Sequence, residues 1–171
     1  RGIITSASVY DDVPIEFKLN NGKYIAWPQN SPAKYRGLTN VTDAIKYSVN
    51  TVAIKVLEDI GVDESFDFLY NKLNMRSLIA GITVDDDAII TDKGLASLAL
   101  GQQNYGVTVR EITGAYSIFA NDGIYNSMRS YYKVTDSQGN ILLSCERSEN
   151  RVISSAAADI MTLMLENVVS S

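Results

Sequence analysis

No histidine occurs anywhere in the 171 residues, and cysteine occurs once, at Cys145. These two scarcities remove whole classes of chemistry. A Ser-His-Asp triad and a Cys-His pair are excluded, and so is a zinc site of the usual His/Cys kind, on ligand count alone. A nucleophile in this chain would need a lysine or a carboxylate as its base. No disulfide can close within the chain, so cysteine usage does not report the redox compartment. Cys145 reads as a small, buried or half-buried residue beside a strand. No run of 18 apolar residues is present, so no membrane span lies inside the chain, and no secretory leader is recognisable. The chain opens at Arg1 without a methionine, which suggests processing or excision from something longer.

Basic patches are also lacking. Fifteen Lys and Arg stand against twenty Asp and Glu, for a formal charge of −5. Nucleic-acid binding normally needs a basic stripe, and none is present. Hydrophobic residues make up 46% and charged residues 20%. This supports one ordered domain with a real core and argues against two. Neither an internal repeat nor a low-complexity segment is found.

The hydrophobic pattern alternates between periods of two and of 3.6 residues. Ile15, Phe17 and Leu19 alternate with polar residues, Asn21-Gly22 turns the chain, and Tyr24 and Ala26 alternate again, which predicts a hairpin. Trp27 to Gly37, with Pro28 and Pro32, reads as a loop. Thr39 is placed to cap a helix through Val41, Ala44 and Ile45. Ser48-Val49-Asn50-Thr51 interrupts it, and Asn50 or Thr51 can cap a second helix carrying Val52, Ala53, Val56 and Ile60, stopped by Gly61. Asp63 can cap a third, with Phe66, Leu69, Tyr70 and Leu73 on one face. Asp85-Asp86-Asp87 lacks the alternation of a calcium loop and reads as a solvated turn.

Further on, Leu95–Leu100 is a short helix ending at Gly101. Thr108 and Glu111 fit a capping box opening a helix with Ile112, Ala115, Tyr116 and Phe119, which Asn121-Asp122-Gly123 stops. A second hairpin runs from Tyr131 through the turn Asp136–Asn140 to Leu143. Ser154 or Ser155 caps a last helix with Ala157, Ile160, Met161, Met164, Leu165 and Val168 along a stripe. The expectation is a helix-rich α+β domain of about six helices and two hairpins, both lying outside the helical part.

Several segments, taken in order, resemble a known family. The stretch Tyr35 to Ala53, in which a helix leads into Ser48-Val49-Asn50, resembles the corresponding stretch of bifunctional (class A) penicillin-binding proteins. So do Ser97–Gly101, Val107–Glu111, Ala115–Gly123, the tail from Val152 to Val169, Asp12-x-Pro14-Ile15 and Trp27-Pro28-x-Asn30. The resemblance covers nearly the whole chain. It implies the transpeptidase fold shared with serine β-lactamases, of which residues 1–171 would be a partial domain. The family's motif set is Ser-x-x-Lys with the nucleophile, Ser-x-Asn, and Lys-Thr-Gly. Only Ser-x-Asn has a clear match, at Ser48 and Asn50. In the family Ser-x-x-Lys lies shortly before a segment like Arg1–Ile4, and Lys-Thr-Gly shortly after one like Asn167–Val169. The chain is therefore expected to begin after the first motif and stop before the second.

What the resemblance implies is serine acyl transfer between peptidoglycan stem peptides, with β-lactams as ligands of the same site. The catalytic role carried over to Ser48 is to pass a proton to the departing amine. Asn50 carries both a catalytic and a substrate-binding role, hydrogen-bonding the substrate's amide backbone and helping to fix the first lysine. No cofactor or metal is implied. Read without the resemblance, Ser48 and Asn50 are helix caps, and Tyr47, Gln102, Gln103 and Asn104 are packing or loop residues. Ser31-Pro32-Ala33-Lys34 fits Ser-x-x-Lys by letter, but it sits in the Pro-rich loop with no apolar helix behind it. Two other functions stay open: a non-catalytic sensor binding penicillin or peptidoglycan, and a β-lactamase-like hydrolase. The parent is expected to work outside the cytoplasmic membrane, anchored by a segment outside this chain. The surface left by absent elements is expected to drive self-association of the chain alone.

Overall fold

The computed structural model describes residues 4–18, 21–84 and 88–170. The Asp85–Asp87 run and Leu19 lie outside the described residues. The chain begins with β1 (Val9–Asp12), followed by β2 (Ile15–Lys18) and β3 (Tyr24–Trp27), which pair antiparallel as the expected hairpin. β4 (Gly37–Asn40) returns to pair with β1, setting Asp12 opposite Gly37 and Val9 opposite Asn40. α1 (Val41–Lys46) and α2 (Asn50–Ile60) follow with only three residues between them. α3 (Val62–Asp67) runs directly into a π-turn, Phe68–Lys72.

β5 (Ile82–Thr83) and β6 (Ile89–Ile90) form a short ladder, and then come α4 (Leu95–Leu100) and α5 (Val109–Tyr116). β7 (Ile124–Asn126) pairs with β10 (Glu149–Arg151), enclosing the second expected hairpin, β8 (Lys133–Thr135) with β9 (Ile141–Ser144). α6 (Ser155–Val169) closes the chain and packs on α1. This is a mixed α and β fold with six α-helices among the described residues, as expected. Three further two-stranded ladders were not legible in the sequence. Two of them, β1 with β4 and β7 with β10, join strands more than twenty residues apart, which no local turn signal announces.

The caps are only partly those expected. The capping box at Thr108 and Glu111 is present, and Ser154 caps α6 by accepting from the Ala157 N–H. α1, however, is capped by Asn40, whose Oδ1 accepts from the Asp43 N–H at 2.8 Å. Thr39 is instead a buried residue of β4. Asp63 caps nothing: α3 starts after Gly61, and Asp63 lies in its first turn. Neither Asn50 nor Thr51 caps α2, which has no side-chain cap of its own.

The larger core gathers Phe66, Leu73, Met75, Leu78, Ala115, Ile118 and Tyr125. A smaller one joins Ala44, Val49 and Val52, with Tyr10 and Val56 against it. On α2 the buried residues are Thr51, Val52, Ile54 and Leu57, while Ile60 is exposed. The expected face was wrong by part of a turn, because α2 is covered by α1, α3, α4 and β1 together, so the buried set is not a single stripe. On α6 the buried residues are Ala158 and Met164, and Ile160 is exposed. Cys145 is half-buried just after β9, its N–H bonded to the Tyr132 carbonyl.

Candidate functional site

The junction between α1 and α2 is built from backbone hydrogen bonds before any side chain acts. α1 ends in a Schellman motif: the Val49 N–H reaches the Ala44 carbonyl at 2.9 Å, and the Ser48 N–H reaches the Ile45 carbonyl at 3.1 Å. The motif requires a left-handed residue, usually glycine, and here it is Ser48, with φ 52°. Val49, only 4% exposed, supplies the hydrophobic contact back to Ala44. The backbone thus drives Val49 inward and turns Ser48 outward. Ser48 is exposed, and its hydroxyl has no hydrogen bond among the described residues. A non-glycine residue in this region costs about 1–2 kcal/mol, and such strain gathers where a side chain must be presented.

Asn50 is the first residue of α2 and half-buried. Its Nδ2 donates to the Gln29 carbonyl at 2.8 Å, across the chain in the loop before β4. That bond fixes the amide and leaves Oδ1 and one N–H unspoken for by this contact. Tyr47 is exposed, with the Arg36 guanidinium 3.8 Å from its ring centroid. Asn30, Ser31, Pro32, Lys34, Arg36, Tyr47 and Val49 line a shallow depression beside the junction.

Under the junction lies a residue whose role sequence reasoning missed. The Asp12 side chain is fully buried, with 0% exposure. Its Oδ1 accepts from the Thr51 hydroxyl and from Asn30 Nδ2 (2.7 Å), and its Oδ2 accepts from the Arg36 N–H (2.8 Å). Burial works against the charge. The bonds from Thr51 and Asn30, with the Arg36 N–H and guanidinium charge, outweigh it and hold the carboxyl below the ordinary aspartate value. Asp12-x-Pro14 was visible as a pattern, but burial of its carboxylate was not. Beside it, the Tyr10 hydroxyl donates to Asp59 at 2.6 Å. Burial, that bond and the Asp59 charge push Tyr10 up to about 12.

The other candidates resolve as scaffold. Asn104 donates through both its N–H and Nδ2 to the fully buried Asp92, at 2.8 and 2.7 Å, and Gln103 donates to the Ser97 carbonyl. Ser31–Lys34 is exposed loop, and the Lys34 N–H turns back onto the Pro32 carbonyl at 2.7 Å, so no helical turn separates serine from lysine. A second match by letter, Ser130-Tyr131-Tyr132-Lys133, escaped the sequence reading; it is exposed and bends into β8 without a helical turn. Neither arrangement buries a lysine against a serine.

Comparison with known proteins adds the family. The family model described as "Penicillin binding protein transpeptidase domain" matches residues 1–171. Penicillin-binding protein 1A of Clostridium novyi is 33% identical over 170 residues, covering 96% of this chain and 18% of that protein. Penicillin-binding protein 1F of Bacillus subtilis is 33% identical over 142 residues, covering 83% and 18%. The chain therefore spans about a fifth of the length of these curated relatives. In fold, it superposes on penicillin-binding protein 1A of Haemophilus influenzae with a TM-score of 0.73 at 20% identity, over 98% of this chain and 27% of that one. It also superposes on the imipenem acyl-enzyme complex of penicillin-binding protein A from Mycobacterium tuberculosis, with a TM-score of 0.69 at 13% identity, over 97% and 39%. With the family model matched from end to end, the chain belongs to the penicillin-binding protein transpeptidase family.

Proposed function

We infer that residues 1–171 form part of a peptidoglycan D,D-transpeptidase domain and supply one wall of its active cleft, with Ser48 and Asn50 as the working side chains. The carrying observation is the junction itself. Ser48 is a strained, exposed serine whose hydroxyl bonds to none of the described residues, two residues from an asparagine whose amide is pinned from a separate loop. That arrangement, in a member of this family, fits the transpeptidase reading better than a bare helix cap, because neither Ser48 nor Asn50 caps α2.

The reaction is acyl transfer. A nucleophilic serine from outside residues 1–171 attacks the carbonyl of the penultimate D-alanine of a stem peptide. An ester bond forms, the C–N bond breaks, and the terminal D-alanine leaves as an amine after gaining a proton. The amine of a second stem peptide then attacks the ester, an amide forms, and the serine regains its hydrogen. Without histidine, proton movement runs through lysines and hydroxyls. Ser48 passes the proton to the departing nitrogen, and Asn50 holds the substrate amide and the nucleophile's lysine. A β-lactam enters by the same ring-opening acylation. The parent protein works on the extracytoplasmic face of a bacterial membrane, where this substrate is assembled, held by an anchor outside these residues.

The test uses the full-length protein that carries this chain, incubated with a fluorescent penicillin. Stoichiometric covalent labelling, slowed about 100-fold or more in Ser48→Ala and about tenfold in Asn50→Ala, is the expected result. A full-length protein that takes no label, or a Ser48→Ala variant labelled at the parental rate, would overturn the reading.

A further inference from the structure

The buried carboxylate of Asp12 has no place in the chemistry described above, yet it ties together α2, the loop 28–36 and the entry to β4. β1 carries it to the first turn of α2. From there it receives the Thr51 hydroxyl of α2, the Asn30 amide of the loop 28–36, and the Arg36 N–H at the entry to β4. α2 grips the same strand a second time: Lys55 Nζ donates to the carbonyls of Asp11 (2.6 Å) and Val13 (3.2 Å), on either side of Asp12. Asn30 is in turn the hinge of the loop. Besides reaching Asp12, its Nδ2 donates to the Lys34 carbonyl and its Oδ1 accepts from the Thr51 N–H. Its neighbour Gln29 offers the carbonyl that holds Asn50.

The electrostatics explain why a charge belongs there. α2 has eleven residues, no side-chain cap of its own and no acidic residue in its first turn. Its N-terminal N–H groups and the positive end of its dipole call for an acceptor and a negative charge. Both come from outside the helix, through Asn30 and Asp12. A buried carboxylate is held in place only while its hydrogen bonds are complete, so its position and that of its three donors are mutually determined.

Resting on the transpeptidase reading of the site, we propose that Asp12 is a positioning residue for the reaction, fixing Asn50 and the Ser48 turn through Thr51 and Asn30. Asp12 touches no reacting atom. Its effect is on where Asn50 stands: removing it takes away one of the bonds that hold Asn30, lets the Gln29 carbonyl shift, and loosens the amide of Asn50. Displacement of a reacting group by about 1 Å lowers rates on the order of 100-fold, so a partial release should lower them about ten- to thirtyfold.

The experiment is the time course of β-lactam acylation in the full-length protein, resolved into the initial binding constant, the acylation rate constant and the labelling end-point. Asp12→Asn keeps the shape and removes the charge. It is expected to lower the acylation rate constant about ten- to thirtyfold, with an end-point still near one label per molecule and initial binding changed by less than about threefold. Thr51→Val should behave alike and Thr51→Ser, which keeps the hydroxyl, should retain at least about half the rate. The double variant Asp12→Asn with Thr51→Val should be no slower than the worse single one, since both cut the same link. A merely structural Asp12 gives the opposite split: a reduced end-point, tracking the unfolded fraction, with an unchanged rate constant in the molecules that label. That result, or parental kinetics in both Asp12→Asn and Thr51→Val, overturns the proposal. Should Asp12→Asn fail to fold, the Thr51 pair decides. Absence of labelling in the unaltered protein would instead defeat the transpeptidase reading.

Discussion

The side-chain amide of Asn50 donates to the backbone carbonyl of Gln29 at 2.8 Å, joining the start of α2 to a loop 21 residues earlier. The bond makes the orientation of Asn50 a property of the loop as much as of the helix. Whatever holds residues 28–36 in place therefore also bears on Asn50, and Asp12, which accepts from Asn30 Nδ2 and the Arg36 N–H, is one such hold.

Ser48→Gly separates stability from function. Glycine occupies the left-handed region without the penalty that serine bears, so the variant is expected to gain about 0.5–1 kcal/mol. In the full-length protein it should lose acylation as Ser48→Ala does. Denaturant unfolding and penicillin labelling measure the two effects, and a destabilised Ser48→Gly would contradict the left-handed cap.

Ser31 is expected not to act as a nucleophile. The 1–171 chain incubated with a β-lactam should show no covalent mass increase. Intact-mass spectrometry checks this directly, and a stoichiometric adduct that disappears in Ser31→Ala would refute it.

Gly123 is irreplaceable on geometry. It sits at φ 77°, and a Cβ there would lie 2.3 Å from the Ile153 carbonyl oxygen, a backbone atom held where Val152 and Ile153 both donate to the Gly123 carbonyl. Gly123→Ala is expected to cost at least about 2–4 kcal/mol, visible as a fall in Tm, because conformation and contact are both violated. Gly139→Ala, with open space around it at φ 86°, pays only for the conformation and should cost about 1 kcal/mol.

Glu111 makes part of the stability depend on acid. Its carboxylate accepts from the Ser77 hydroxyl and N–H and from Thr108. Burial alone would raise its pKa, but these bonds lower it from 4.5 to about 2. The folded state thus binds the proton less tightly than the unfolded state. Its contribution is complete above pH about 4.5 and fades as pH falls toward 2. Unfolding free energies measured between pH 6 and pH 2.5 should drop by roughly 1–3 kcal/mol more in the parent than in Glu111→Gln.

The isolated 1–171 chain is expected to self-associate. Leu163 is 65% and Val169 88% exposed on α6, and every described ladder has two strands only, leaving unpaired edges. Light scattering over a concentration series should give a mass rising above 18.8 kDa, and a constant 18.8 kDa would rule the idea out.

What the sequence determined by itself was local. The Asn21-Gly22 and Asp136–Asn140 turns, the Thr108–Glu111 box and the Ser154 cap all depend on residues within four positions of one another, so side-chain chemistry written in order was enough to read them, whereas α5 ends at Tyr116, before Phe119 and the expected stop at Asn121-Asp122-Gly123. The absence of histidine and the Ser48-x-Asn50 spacing were legible for the same reason. Tertiary structure decided the rest. Asn40 and not Thr39 caps α1, because pairing with β1 draws Thr39 into a buried strand position. α2 dispenses with a local cap because Asn30 and Asp12 arrive from other segments. The left-handed turn that exposes Ser48 follows from burial of Val49 against Ala44 and Val52. Each of these joins residues that only packing brings together. A buried carboxylate or apolar side chain takes its free energy from all its neighbours at once, and that sum is not written in any one stretch of sequence.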